Sequence, residues 1–138
     1  DVIRRNNVKV SGSGEQPMLF AHGFGCDQKM WRLVTPAFER DYRIVLFDYV
    51  GSGGSDLSAW DRHRYSSLDA YATDVLNIVE TLDLRDVILV GHSVSSMIGV
   101  LAAKGQSSFG ADQDDTVVMP LRAVQRPLDR LVGAANHG

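Results

Sequence analysis

The stretch "LVGHSVSSM" (residues 89–97) places a serine between an apolar run and a segment with helical character. Gly91 and Ser95 flank Ser93 two residues away on either side, and both are small enough for a very sharp turn. A serine on such a strand-to-helix turn is lifted above the sheet, at the positive end of the helix that follows. Ser93 is therefore a candidate nucleophile. A serine that merely caps the helix is the alternative.

Two further glycine-containing loops each follow an apolar run. "HGFG" (22–25) follows "PMLFA", and "DYVGSGGSD" (48–56) begins at the end of "RIVLF". Ordinary glycine turns are the plain interpretation of both loops. A phosphate-binding loop is disfavoured, because neither G-x-G-x-x-G nor a G-K-[ST] ending is present.

The pattern of apolar residues predicts an α/β fold. Runs such as "RIVLF" and "VILV" do not alternate, which is typical of strands covered on both faces in a parallel sheet. We expect a three-layer αβα arrangement with a mostly parallel sheet. Strands are predicted near 17–21, 43–48 and 87–91, with a shorter one within 7–14, and helices near 67–83 and 94–104. A further helix is predicted over 30–40, and Pro36 in its middle should kink it or start a second short helix.

Composition narrows the classes of protein. The net charge of -3 argues against nucleic acid as a partner, since phosphate binding needs an excess of Lys and Arg. Cys26 is the single cysteine, which excludes an internal disulfide and suits a reducing cytoplasm. No apolar run approaches the roughly 20 residues of a membrane span, and no signal peptide is recognisable. We therefore expect a cytoplasmic protein without membrane contact.

Taken together, the loops resemble those of the α/β-hydrolase superfamily. The stretches that carry the resemblance lie within about residues 3–103, and they are similar to the RsbQ-like group that includes the plant karrikin and strigolactone receptors. They are "FGCDQKMW", "LFDYVGSGGSDL", "RYSSLDAYATDVL" and "VGHSVSSMIGVLAA". In that group, serine at the position of Ser95 is not unusual. The resemblance implies the N-terminal half of the hydrolase fold, lacking the lid and the later strands.

The resemblance also implies roles for individual residues. Ser93 would be the nucleophile, and the backbone N–H groups of Phe24 and Val94 would be the oxyanion-hole donors. Members of the group hydrolyse small hydrophobic esters or lactones, or bind them as signals. RsbQ itself acts with a phosphatase partner in bacterial stress signalling, which makes a protein partner of that kind an expectation. No cofactor and no metal are implied.

The acid and base that a serine nucleophile needs are harder to find. The family order is Ser, then Asp or Glu, then His, and His137 follows Asp112, Asp114 and Asp115. The order of these residues in the chain is weak evidence for a triad by itself. Residues 94–138 are also too few to form a lid and three further strands. We predict an incomplete triad with weak or absent activity, with His137 as the candidate base. We expect His92 to point away from Ser93, and His63, in "DRHRY", to be a solvated loop residue.

Residues 105–138 differ in character from the first 104. The stretch "KGQSSFGADQDDTVVMPLRAVQR" (104–126) resembles part of the periplasmic core domain of MacB-type transporter permeases. We interpret the chain as a chimera, natural or artificial, with a truncated hydrolase core at 1–104 and an unrelated tail at 105–138. The carboxylates of "DQDD" should remain solvated, and "TVVM" is a candidate strand for the open sheet edge.

Three alternatives from other classes remain open. The first is a non-catalytic binding or signalling module of RsbQ type, and the second is an inactive truncated fragment. The third is a doubly wound nucleotide-binding domain, which the missing phosphate loop disfavours.

Overall fold

The computed structural model describes residues 1–105 and 117–120. In this part of the chain, strands and helices alternate after a short N-terminal helix and strand. The elements are α1 (Val2–Arg5), β1 (Lys9–Ser11), β2 (Pro17–Ala21), β3 (Arg43–Leu46), α2 (Leu68–Thr81), β4 (Ile88–Gly91), α3 (Val94–Gly105) and β5 (Val117–Pro120), with short 3-10 helices at Gln28–Trp31, Thr35–Ala37, Leu57–Ala59 and Arg64–Ser66.

The strands form one sheet in the order β1-β3-β2-β4-β5. β2 pairs in parallel with β3 on one side and with β4 on the other, while β1 pairs antiparallel with β3. Met18 thus lies opposite both Ile44 and Ile88. The predicted α/β class and mostly parallel sheet are confirmed, and the predicted strands overlap β2, β3 and β4.

Each face of the sheet carries its own apolar core. Successive residues of β2 point to opposite faces, as strand geometry requires, and all five are buried. Leu19 and Ala21 pack in the larger core with α2 and α3, whereas Met18 and Phe20 pack in the smaller one with Trp31 and Phe38. Both faces are covered, so the sheet is the middle of three layers.

In the predicted helical segment 30–40, Pro36 starts a second short helix, which is one of the two predicted alternatives, but a continuous α-helix is not formed. Instead of one kinked α-helix, the chain forms the 3-10 helices Gln28–Trp31 and Thr35–Ala37. Pro36 lies at the start of the second one, where a missing N–H costs nothing and the ring cannot clash with a preceding turn. Trp31 is still buried, so the apolar spacing identified the inward face but not the type of helix.

Ser66 and Asp69 have the spacing of a capping box, which predicts Ser66 as the N-cap of α2, but this cap is not formed. The N-cap of α2 is Ser67, which makes no side-chain capping bond. The Ser66 hydroxyl donates instead to the carbonyl oxygen of His63 at 2.9 Å, within the preceding 3-10 turn. The local backbone acceptor therefore takes precedence over the cap.

A buried carboxylate anchors the start of α2. Asp74 has no exposed surface, and it accepts hydrogen bonds from Tyr65 Oη at 2.6 Å and Arg64 at 2.8 Å. Arg5, at the end of α1, forms a third contact with Asp74 at 3.3 Å. These bonds join α1, the 64–66 turn and α2, and thereby fix the helix face that carries Leu68 and Tyr71.

A strand from the C-terminal segment extends the sheet. β5 pairs in parallel with β4, with Leu89 opposite Val118 and Gly91 opposite Pro120. The prediction that "TVVM" adds a strand to the sheet edge is confirmed, since three of its residues lie in β5. The stretch "RAVQRPLDRLVG" (122–133) is a further candidate helix, broken at Pro127, and it lies outside the described residues, as do Asp112, Asp114, Asp115 and His137. The division of the chain at residue 104 and the permease resemblance stay predictions.

In the described ranges, no helix combines the length and the apolar character needed to cross a membrane.

Candidate active site

The three glycine-containing loops meet at one edge of the sheet. β2, β3 and β4 are parallel neighbours, so the residues that follow them emerge from the sheet on the same side. In open α/β sheets, ligands bind in the crevice beyond the carboxyl ends of the strands, where the strand order reverses. Here that point is at β2, because the chain continues to β3 on one side and reaches β4 on the other.

Ser93 occupies a strained turn between β4 and α3. Its φ of 59° lies in the left-handed region, which costs a residue other than glycine about 1–3 kcal/mol. A Cβ on Gly91 would lie 2.8 Å from the carbonyl oxygen of Ser95, so the turn closes only around glycine at that position. Ser93 is exposed, and its hydroxyl has no hydrogen-bond partner among the described residues. The backbone of this turn therefore holds Ser93 at an exposed position.

The two expected oxyanion donors border the same cavity. Phe24 and Val94 both line it, although the side chain of Phe24 is 93% exposed. Within the described ranges, neither backbone N–H is hydrogen-bonded to an acceptor. Val94 is also the first residue of α3, where a helix leaves its N–H groups unpaired and the macrodipole is positive.

His22 is fully engaged in holding the loop that contains Phe24. Its Nε2 accepts the Tyr49 N–H at 3.0 Å, so the ring proton must be on Nδ1, which donates to the carbonyl of Gly23 at 2.8 Å. The Cys26 N–H donates to the same carbonyl at 3.1 Å. Because a trans peptide points its C=O and N–H in opposite directions, this fixes the direction of the Phe24 N–H. His22 is therefore a structural histidine and has no nitrogen left to serve Ser93.

Ser95 joins all three loops through its hydroxyl. The residue is fully buried, and its Oγ lies 2.5 Å from the carbonyl oxygen of His22 and 2.7 Å from Tyr49 Oη. A carbonyl can only accept, so Ser95 donates to His22 and Tyr49 donates to Ser95. Burial raises the pKa of the Tyr49 hydroxyl well above its usual range, which keeps it a donor. The motif indicated only that Ser95 is small, so this bonding was missed.

Asp48 organises the second loop without taking part in the cavity. It is 1% exposed and accepts from Gln28 N at 2.8 Å, Gly54 N at 2.9 Å and Asn7 Nδ2 at 3.0 Å. Burial raises the pKa of this carboxyl, but the hydrogen bonds together outweigh burial and lower it below its ordinary value. Gly53, with φ of 50°, leaves room for the carboxylate, since a Cβ there would lie 2.5 Å from it. Asp48 is therefore an ionised group with a structural role, and it is not a candidate for the catalytic acid.

The cavity enclosed by these loops has a volume of about 430 Å³ and is open to solvent. Aromatic and aliphatic side chains form much of its wall, and none of the described lining residues is Asp, Glu, Lys or Arg. The lining residues are His22, Gly23, Phe24, Gly25, Tyr49, Val50, Gly51, Ser52, Trp60, Leu68, Tyr71, Val94 and Ile98. A small uncharged ligand with an apolar body fits such a wall.

The structure brings no imidazole to Ser93 within its described part. His63 is exposed. The ring of His92 lies against Gly23, where a Cβ would be 2.4 Å from its Nδ1, and that nitrogen is buried without a partner. The candidate base His137 lies outside the described residues. Nor do the described residues contain a group of three or more His, Cys, Asp or Glu side chains placed to hold a metal ion.

Comparison with known families agrees with this geometry. The model of the alpha/beta hydrolase fold matches residues 16–107, which include β2, β3, β4 and the loops that follow them. The chain belongs to this family. The predicted resemblance is thereby confirmed at the level of the α/β-hydrolase fold.

Individual relatives of this chain include plant receptors and esterases. The chain is 44% identical to strigolactone esterase D14 of Arabidopsis thaliana over 75% of its own length and 39% of that protein. It is 48% identical to the karrikin insensitive 2 receptor CA of Petunia hybrida, over 74% of this chain and 38% of the receptor. The chain thus spans about two fifths of the length of these relatives.

Among solved structures, a hydrolase from Oleispira antarctica matches with a TM-score of 0.75 and 48% identity. The match covers 84% of this chain and 40% of that one. The chain is therefore similar in fold to the corresponding part of a larger hydrolase.

Proposed function

We propose that this chain carries the nucleophile and oxyanion-hole half of a serine hydrolase site for small, hydrophobic esters or lactones. The observation that supports the proposal best is Ser93 itself. It is exposed at a left-handed turn at the N-terminus of α3, and its neighbour Val94 lines an apolar cavity together with residues of the loops after β2 and β3.

The chemistry would follow from this placement. Ser93 Oγ attacks the ester or lactone carbonyl, and the carbonyl oxygen becomes an oxyanion. The N–H groups of Phe24 and Val94, which lack acceptors among the described residues, would stabilise this charge. Removing one such donor typically costs about 10²–10³-fold in rate, so the pair is a large part of the expected catalysis.

The proton of Ser93 also needs an acceptor. Serine is a weak nucleophile until a base removes its proton, and no described imidazole is bonded to the hydroxyl. We propose that the site reacts slowly unless a base is supplied. Added imidazole is small enough to enter an open cavity of about 430 Å³ and can take this role.

Chemical rescue tests both halves of the proposal. Hydrolysis of phenyl acetate is measured with and without imidazole, for the chain and for Ser93→Ala. Without imidazole the two proteins should turn over the ester at nearly the same rate. With imidazole the chain should hydrolyse the ester faster than Ser93→Ala does. The rate with Ser93→Ala gives the direct reaction of imidazole with the ester, which is subtracted.

Two results would count against it. If the imidazole-dependent rates of the two proteins are equal, Ser93 is not the nucleophile. If the chain hydrolyses the ester rapidly without imidazole and Ser93→Ala abolishes this, a base is present in the chain and the incomplete triad is wrong.

A second candidate is a small-molecule binding module without turnover. Two observations favour it: an apolar cavity is formed, and the Ser93 hydroxyl has no hydrogen-bond partner in the part of the chain that the structure describes. Relatives also include a protein named as a karrikin insensitive 2 receptor. A protein partner in signalling belongs to this candidate. Both candidates use the same site, and they differ in whether the bound molecule is hydrolysed.

Tryptophan fluorescence separates binding from turnover. Trp60 lines the cavity and is 48% exposed, whereas Trp31 is buried in the opposite core. A medium-chain γ-lactone should change the emission of the chain, and Trp60→Phe should remove the change while leaving the Trp31 signal. Saturable binding with no imidazole-dependent hydrolysis would favour the binding module over the hydrolase.

A further inference from the structure

Three hydroxyl and carbonyl groups form a buried chain that links the nucleophile turn to the proposed oxyanion loop. Tyr49 Oη donates to Ser95 Oγ, and Ser95 Oγ donates to the carbonyl of His22. Tyr49 follows β3, Ser95 lies in the first turn of α3, and His22 follows β2. Each group thus comes from a different loop of the site.

The two peptide units after His22 are held from different directions. Ser95 holds the His22 carbonyl, and the His22 ring together with the Cys26 N–H holds the Gly23 carbonyl. The ring in turn is fixed by the Tyr49 N–H at 3.0 Å. The direction of the Phe24 N–H therefore depends on these anchors, and Ser95 is the one that α3 contributes.

We propose that Ser95 is a positioning residue, whose hydroxyl fixes the loop bearing the Phe24 N–H relative to Ser93. This inference rests on the proposed function for its catalytic meaning. A glycine at position 95 satisfies the spacing of the turn equally well but leaves the His22 carbonyl and the Tyr49 hydroxyl buried without partners. A buried polar group that loses its partner is expensive, so the loop should rearrange until water or another donor reaches that carbonyl.

Backbone amides report this loop directly. The Cys26 N–H is bonded to the Gly23 carbonyl, and the Tyr49 N–H is bonded to His22 Nε2. These two amides therefore report on the hydrogen bonds at either side of the His22 ring. Their hydrogen exchange is measured by ¹⁵N NMR, together with the chemical shift of the Phe24 amide. In Ser95→Ala both amides should exchange about tenfold faster than in the unchanged chain, and the Phe24 amide should shift.

Two variants give the expected order of effects. Tyr49→Phe removes the donor to Ser95 but keeps the bond from Ser95 to His22, so it should accelerate Cys26 exchange less than Ser95→Ala does. Ser96→Ala is the matched control, because the Ser96 hydroxyl, one residue further along α3, donates to the Ser93 carbonyl at 2.8 Å and does not reach the loop. It should leave the exchange of Cys26 and Tyr49 unchanged.

The outcomes separate a positioning role from a purely structural one. Equal acceleration of the Leu89 and Ile78 amides in the core would mean that Ser95 only stabilises the fold, and the proposal would be overturned. Unchanged exchange of Cys26 and Tyr49 in Ser95→Ala would overturn it as well. If Ser95→Ala does not fold, Ser95→Gly takes its place, since glycine keeps the spacing of the turn: unchanged exchange of the Cys26 and Tyr49 amides then decides against the proposal, and acceleration confined to the loop decides for it.

The exchange measurement does not depend on the reactivity of Ser93. A failure of the imidazole rescue would leave Ser95 as the anchor of an unreactive loop. A failure of the exchange test would leave the hydrolase proposal standing without this positioning residue. The two failures are therefore distinguishable.

Discussion

Gly91 determines, as a single residue, whether the turn around Ser93 can form. A methyl group at this position would lie 2.8 Å from the Ser95 carbonyl oxygen and 2.9 Å from its carbon, both of them backbone atoms that cannot rotate away. The conflict would have to be relieved by a shift of α3 away from β4. The turn around Ser93 and the packing of α3 against β4 therefore depend on the same glycine.

We predict that Gly91→Ala lowers the free energy of unfolding by about 1–3 kcal/mol, as overpacking of a close contact usually does. Urea denaturation measures the change. Ser96→Ala, in the first turns of the same helix, is the control and should change the free energy by less than about 1 kcal/mol. A Gly91→Ala protein as stable as the unchanged chain would contradict the close packing of β4 against α3.

Asp48 gives the site a dependence on pH that has nothing to do with catalysis. Its folded-state pKa lies below the ordinary value of 3.8, because hydrogen bonds to the carboxylate outweigh the effect of burial. The folded protein therefore favours the charged form. This contribution to stability is complete above the unfolded pKa and is lost as the pH falls through the folded one.

Asp48→Asn should therefore destabilise the chain by about 1–3 kcal/mol at pH 7, since the amide cannot accept the same three bonds as well. The difference between the two proteins should shrink as the pH falls below about 4, because the carboxyl of the unfolded wild-type chain then takes up a proton before that of the folded chain does. Thermal unfolding of both proteins between pH 7 and pH 3 measures this difference in stability. A difference that stays constant or grows on acidification would show that Asp48 is not held as a carboxylate.

The sequence was informative about some of these residues and not about others. Ser93 and Gly91 are part of a local motif, so their spacing alone indicated the turn. The bonds of Ser95 to Tyr49 and His22 join residues 46 and 73 positions apart, and no local pattern contains such pairs. The motif showed which side chains fit at position 95, but not what the hydroxyl of this one contacts.

At the scale of elements, strands were easier to predict than helices. β2, β3 and β4 are buried apolar runs, and burial of both faces leaves a clear signal in composition. The segment around Pro36 has the apolar spacing of a helix, yet it folds into short 3-10 turns because proline interrupts the hydrogen-bond ladder. The apolar spacing predicts which residues face inward, and the proline determines which type of helix the backbone forms there.

β5 is the element that covers the β4 edge. Without it, the backbone groups of Ile88–Gly91 on that side would be unpaired, and an open edge invites pairing with other chains. Replacing both Val117 and Val118 with proline removes the N–H groups of two successive residues, one of which must face β4.

We predict that this double variant aggregates or loses stability, since proline is excluded from the paired side of a strand. Size-exclusion chromatography with light scattering measures the association. The double replacement by threonine keeps both N–H groups and the β-branched shape, and it should remain as soluble as the unchanged chain. A proline variant that stays monomeric and equally stable would show that β5 does not protect the sheet edge.

For the whole molecule, the arrangement of the sheet accounts for the site. Three parallel strands with β2 at their centre bring three loops to one edge, although these loops follow residues 21, 46 and 91. Family membership could be predicted from the loops because each carries its own glycine pattern. The base could not, since it would have to come from a residue whose position depends on the tertiary structure rather than on a local motif.

The central proposal is that Ser93 is the nucleophile of a hydrolase site. The most direct measurement is the location of a covalent adduct after treatment with a fluorophosphonate in the presence of imidazole. Trypsin releases residues 86–104 as one peptide that contains Ser93, Ser95 and Ser96, and fragmentation in the mass spectrometer distinguishes the three. We predict a single adduct on Ser93 that increases with imidazole concentration and is absent in Ser93→Ala. An adduct on another serine, or no adduct at any imidazole concentration, would contradict the account.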